Sequence, residues 1–118
     1  MRASTNTMMQ EKRRLQRYQV TDVIEVIDVF AERPLGRLVD ISLGGLMLSS
    51  DRPIPLNQIF QIAIAVPSLS EGTGRLLLGV ESLWSRQSAD RRQVWTGFQL
   101  ISVSDEDRAA LEYLLDAL

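Results

Sequence analysis

The 118-residue chain contains no cysteine and no histidine. Without cysteine there is no disulfide framework and no thiolate nucleophile, a composition suited to a reducing compartment. Without histidine the chain lacks the usual general base near neutral pH, the commonest metal ligand and the centre of any Ser-His-Asp arrangement. Lysine is reduced to a single residue, Lys12, and no pair of carboxylates departs from ordinary surface spacing. Enzyme classes and a metal centre are therefore disfavoured, no catalytic cofactor is expected, and a binding protein is. Aromatic residues make up 6% of the chain, too few to line a groove for a nucleic acid polymer. No apolar run approaches the roughly 18 residues of a membrane span. The opening MRASTNTMMQ lacks the apolar core of a secretory signal. A cytoplasmic protein without a membrane span is the expectation.

What is present is apolar content sufficient for one core, at 45% of residues, and an uneven distribution of charge. The net charge is −2. Residues 1–20 carry Arg2, Lys12, Arg13, Arg14 and Arg17 against Glu11, a local balance of +4, which leaves −6 on the remainder. A basic arm on an acidic body points to a localised anion site, or else to a solvated tail.

The apolar pattern is that of a β protein ending in a helix. Val20, Ile24, Val26, Ile27 and Val29 form a β-branched run whose period slips, as at a bulge. Glu32, Arg33 and Pro34 read as a turn before a strand over 36–41, and Ser42–Gly45 as another turn before a strand from Leu46. Phe60, Ile62, Ile64 and Val66 alternate with smaller or polar residues until Pro67. Residues 68–74 read as a loop, and 76–85 and 94–102 as paired strands. Ser104 is placed as an N-cap, with Asp107 reaching back as the acid of a capping box and Asp105 and Glu106 at the positive helix end. Leu111, Leu114, Leu115 and Leu118 mark one apolar face. About six strands and one helix predict a small barrel with the helix against it or across a mouth.

Two clusters carry chemistry. Lys12-Arg13-Arg14-Leu15-Gln16-Arg17 precedes the first strand, and Asp40-Ile41-Ser42-Leu43-Gly44-Gly45 sits at a strand–turn–strand junction. Taken singly, the first fits a solvated arm. The second fits a turn in which Asp and Ser bond local backbone and Gly supplies a positive φ. Taken together they resemble the PilZ domain pattern, R-x-x-x-R followed by D-x-S-x-x-G. Leu83-Trp84, Gly97-Phe98 and the acidic-capped helix extend the similarity over residues 11–118.

The resemblance implies an all-β, six-stranded antiparallel split barrel with a C-terminal α-helix, in a bacterial protein that binds cyclic di-GMP. The expected divisions are a leader over 1–10, an arginine switch arm over 11–17, a barrel over 18–102 and a helix over 104–118. Its ligand presents phosphates and guanines. A guanidinium grips either in a bidentate fashion or stacks on the base, so Arg13 and Arg17 are the expected principal ligands, with Arg14 assisting. Asp40 would accept from guanine N1–H and N2–H₂, Ser42 would donate to a phosphate or base acceptor, and Gly44 and Gly45 would admit close approach of backbone. Shaping the turn alone is the lesser alternative for Asp40 and Ser42.

A basic residue at position 12 implies, within that family, an intercalated pair of nucleotides in place of one. Trp84 either stacks on a guanine or packs into the barrel or toward the helix, and Trp95 reads as structural. The relay would run to an unidentified effector protein controlling motility, biofilm or exopolysaccharide output. The rival within the family is an adaptor that works through protein contacts without the nucleotide.

Overall fold

A computed structural model of the chain describes residues 16–65 and 74–118. The expected leader, Lys12, Arg13, Arg14 and most of the expected 68–74 loop lie outside the described residues. Seven strands run in chain order: β1 (Tyr18–Gln19), β2 (Glu25–Asp28), β3 (Arg33–Ile41), β4 (Gly45–Ser50), β5 (Ile59–Ala65), β6 (Arg75–Gln87) and β7 (Val94–Ser102). One helix, α1 (Asp105–Ala117), follows them. All pairings are antiparallel, and β2-β5-β6-β7-β4-β3 close on themselves through the β3–β4 and β2–β3 pairs. The result is a six-stranded barrel plus a helix, with the two-residue β1 as an addition.

The segment from Tyr18 to Val29 therefore holds two short strands, and of the β-branched run only Glu25–Asp28 is strand. β1 pairs Tyr18 with Ile41 and Gln19 with Asp40, while β2 pairs with Arg33–Arg37 farther back on the same edge of β3. The chain bends between them, and the expected slip lies at Val26/Ile27. Arg33 and Pro34, expected in a turn, begin β3 instead. The turn itself closes on Glu32, which adopts φ 54°.

Closure leaves one face of each strand inside. Leu38, Ile41, Leu46, Leu48, Ile62 and Ile64 are among the interior residues, and Leu111, Leu114 and Leu115 of α1 belong to the same apolar cluster. At the helix start, Ser104 Oγ accepts the Asp107 N–H at 3.1 Å. The Asp107 carboxylate does not return to the Ser104 N–H as a full capping box would. One oxygen accepts from the Ser104 hydroxyl at 2.8 Å, and the other takes the Leu77 N–H at 3.1 Å. Leu77 precedes the point, Gly79, at which β7 begins to pair with β6, so Asp107 supplies an acceptor where the ladder has none. Leu118, expected on the apolar face, is the exposed C-cap.

At the other end of β6 and β7, Asp90 closes the hairpin. It accepts the Ser88 hydroxyl at 2.6 Å and the Arg92 N–H at 3.0 Å. Those bonds, the hydroxyl first, hold its carboxyl below the ordinary value near 3.8. No helix among the described residues is long and apolar enough to cross a membrane.

Candidate functional site

Strict alternation along β3 would put Asp40 on the same face as Leu38, inside the barrel. It does not go there, because the register shifts between Leu38 and Asp40. Leu38 faces Leu48 across the sheet, whereas Asp40 faces Met47 on the outer side and Ile41 returns to the interior opposite Leu46. A bulge thus re-aims one carboxylate from the core to the outer face of the sheet, where Asp40 remains buried beside Arg17. A second shift between Ser82 and Trp84 does the same on β6. Ser82 is interior opposite Phe98, and Trp84 emerges on the outer face opposite Gly97.

The two bulges bring their residues into one transverse row. Gln19 pairs with Asp40, Asp40 with Met47, Met47 with Gly97, and Gly97 with Trp84. The Trp84 indole lies directly over Gly97, where a Cβ would come within 2.3 Å of its ring atoms. Trp84 is 42% exposed on the outer face, so it does not pack into the barrel. Between the indole and Asp40 lies a floor of Met47 and Gly97, about two strand spacings or roughly 10 Å across. Sequence reasoning left Met47 and Gly97 out of the site. A glycine in mid-strand was the one available signal of a close approach.

Arg17 joins this row through β1. Tyr18 and Val20 pack against the core, which anchors β1 beside β3 and holds Arg17 next to Asp40. Its Nη1 donates to Asp40 Oδ1 at 2.5 Å, with the arginine side chain 48% exposed and the carboxylate 8%. The contact uses one donor of a five-donor fork and one of two carboxylate oxygens.

The Ser42–Gly45 turn is built tightly. Ser42 Oγ donates to the Gly45 carbonyl at 3.3 Å and accepts the Gly44 N–H at 3.1 Å. The Ser42 N–H donates to the same Gly45 carbonyl at 2.8 Å, and the Gly44 carbonyl accepts from the Leu100 N–H at 2.9 Å. Ser42 is buried and its hydroxyl is committed to the turn. Neither Gly44 nor Gly45 has the positive φ expected of it. Gly45 is required for a different reason: a Cβ there would sit 2.2 Å from the Phe98 carbonyl oxygen. The arrangement as a whole can receive a planar, hydrogen-bonding ligand. It offers an aromatic surface at one end and a carboxylate–guanidinium pair at the other.

The PilZ domain family model matches residues 11–117. No curated protein matches the chain in sequence. Among solved structures, the chain is similar to the PilZ domain of YcgR from Escherichia coli with c-di-GMP. The TM-score is 0.65 at 17% identity, over 91% of each chain. It is also similar to the inhibitor of motility MotI/DgrA of Bacillus subtilis, with a TM-score of 0.66 at 13% identity over 86% of this chain and 47% of that one. A third is the PlzA protein of Borreliella burgdorferi in complex with c-di-GMP, with a TM-score of 0.60 at 16% identity over 99% of this chain and 57% of that one. The chain thus spans about half the length of MotI and of PlzA. With nearly its whole length matched by the family model and its strands closed into the barrel of those structures, the chain belongs to the PilZ domain family.

Proposed function

We propose that this chain is a receptor for cyclic di-GMP in the bacterial cytoplasm, which binds the nucleotide on the outer face of the barrel and relays its presence to a partner protein. The observation that carries the reading is the row in which the Arg17–Asp40 pair and the Trp84 indole share one face. The YcgR domain and PlzA were both solved with this nucleotide, which supports the same ligand here. In this reading one guanine stacks on Trp84, and Asp40 accepts from a guanine N1–H and N2–H₂ edge. Arg17, steadied by Asp40, turns its remaining donors to a phosphate or to guanine O6 and N7.

Arg13 lies four positions before Arg17, at most about 14 Å along an extended chain, so it reaches the same ligand, with Arg14 assisting. Lys12 adds a point charge suited to a second, intercalated nucleotide. Ser42, Gly44 and Gly45 contribute by setting the backbone of the turn beside Asp40. The output, whether motility, biofilm or exopolysaccharide, belongs to the partner.

Isothermal titration with cyclic di-GMP tests the proposal on the wild type and on Arg13→Ala/Arg17→Ala, Asp40→Ala and Trp84→Ala. Binding at micromolar affinity or tighter is expected in the wild type, with a loss of more than about tenfold in the first two variants. Trp84→Ala is expected to weaken binding by about tenfold, the worth of one base stack. Absence of heat and of any thermal shift with the intact protein would refute the receptor reading.

A further inference from the structure

Two positions along the strands from the Asp40 row, the outer face carries a second transverse row. Ser49 pairs with Trp95, and Trp95 with Arg86. Trp95 is half-buried and Arg86 is exposed. The Arg86 guanidinium lies over the Trp95 ring, its carbon 5.3 Å from the ring centroid, where the negative face of the ring attracts a cation. Among the described residues Arg86 forms no ion pair. The acid of its own hairpin, Asp90, is engaged by the Ser88 hydroxyl and the Arg92 N–H. Ser49 donates its hydroxyl to Gln93. A guanidinium held flat on an aromatic face keeps the donors along its edge for another group.

Trp84 and Arg86 are alternate residues of β6 on one face of the sheet, roughly 7 Å apart along the strand. Both reach across to β7, the indole over Gly97 and the guanidinium over Trp95. The two indoles form the layer next to the sheet. A base stacked on Trp84 and the guanidinium stacked on Trp95 then share the layer above it, edge to edge. Arg17 enters from the other side of the Asp40 row, because it precedes β1, which pairs Tyr18 with Ile41 beside Leu46 and Phe98. Arg17 and Arg86 thus flank the row.

We infer, on the receptor reading above, that Arg86 is a further ligand of the cyclic di-GMP site and sets its preference for guanine, with Trp95 as the residue that positions it. With a guanine stacked on Trp84, the Arg86 fork meets O6 and N7, two acceptors on one edge of the base. Adenine presents an N6 amine beside N7, and that donor faces the guanidinium N–H groups. A lysine would supply the charge without the fork or the stack. Trp95 holds Arg86 in place before the nucleotide arrives, so less side-chain freedom is lost on binding.

Isothermal titration of the full chain with cyclic di-GMP tests the inference on Arg86→Ala, Arg86→Lys and Arg92→Ala, with thermal melts to establish that each folds. Arg86→Ala should weaken binding by about tenfold or more, and Arg86→Lys should recover no more than about threefold of it. Arg92→Ala removes the same charge from the same hairpin and should change binding by less than about twofold. Displacement of fluorescent cyclic di-GMP by cyclic di-AMP, which carries the same phosphates, measures base preference. The preference for guanine should fall by about tenfold in Arg86→Ala; an unchanged preference would place Arg86 on a phosphate and overturn the guanine assignment. Trp95→Leu should weaken binding about threefold with Arg86 present and not at all in Arg86→Ala. An equal loss in both backgrounds would remove Trp95 from its positioning role. Binding by Arg86→Ala within about twofold of wild type, full recovery by lysine, or an equal loss in Arg92→Ala would overturn the inference and leave the receptor reading standing. Absence of heat with the wild type would refute the receptor reading, and the role of Arg86 with it.

Discussion

Thr96 and Ser82 are both wholly buried hydroxyl residues on the inner face of the barrel, yet their situations differ. Ser82 Oγ donates to the Pro55 carbonyl at 2.7 Å and accepts the Gln58 N–H at 3.2 Å, which ties the loop before β5 to β6. Thr96 Oγ1 has no hydrogen-bond partner in the described structure. An unpaired buried hydroxyl is costly, and replacement by an apolar group of the same shape removes that cost. Thr96→Val is accordingly expected to stabilise the protein by about 1 kcal/mol, a rise of several degrees in Tm for a domain of this size. A thermal melt of the variant checks it, and an unchanged or lower Tm would show that the hydroxyl is satisfied.

At the scale of elements, the start of α1 joins a local signal to a tertiary one. The Ser104 cap was legible because the capping residue and its partner are three positions apart in one sequence. The bond from the Leu77 N–H to Asp107 was not, since β6 lies 30 positions away. Ser104→Ala should cost about 1 kcal/mol, the usual worth of an N-cap. Asp107→Ala should do more at one particular place, because it strips the Leu77 amide of its acceptor. Amide hydrogen exchange by NMR is the discriminating measurement. Leu77 should lose protection in Asp107→Ala beyond the general loss of stability, and keep it in Ser104→Ala.

Across the whole molecule, the helix is part of the core and not an appendage, because Leu111, Leu114 and Leu115 share one apolar cluster with the barrel interior. A truncation in the helix should then be felt by the barrel. Leu115, 1% exposed, is the residue to test. Leu115→Ala should lower stability by about 2–4 kcal/mol. The loss of Trp84 and Trp95 fluorescence structure should remain coincident with the loss of far-UV circular dichroism in denaturant. A fluorescence transition left unmoved, with only helical signal lost earlier, would mean that α1 unfolds by itself.

The sequence by itself determined the class of the molecule. Period-two alternation from Phe60 to Ala65 has its counterpart in β5, and the polar segment 86–93 marks the turn between β6 and β7, although β6 runs two residues into it, to Gln87. The two motif clusters marked the face to inspect. Tertiary structure alone decided what that face presents. Simple alternation would leave Asp40 beside Leu38 and Trp84 beside Ser82 inside the barrel, and two bulges turn both outward into one row. It also decided that Ser42 spends its hydroxyl on the turn, and that Gly45 is needed for the approach of the Phe98 carbonyl and not for its φ. The reason is physical. Periodicity is a property of one strand and is written along it, whereas register, bulges and close approaches belong to pairs of strands distant in the chain.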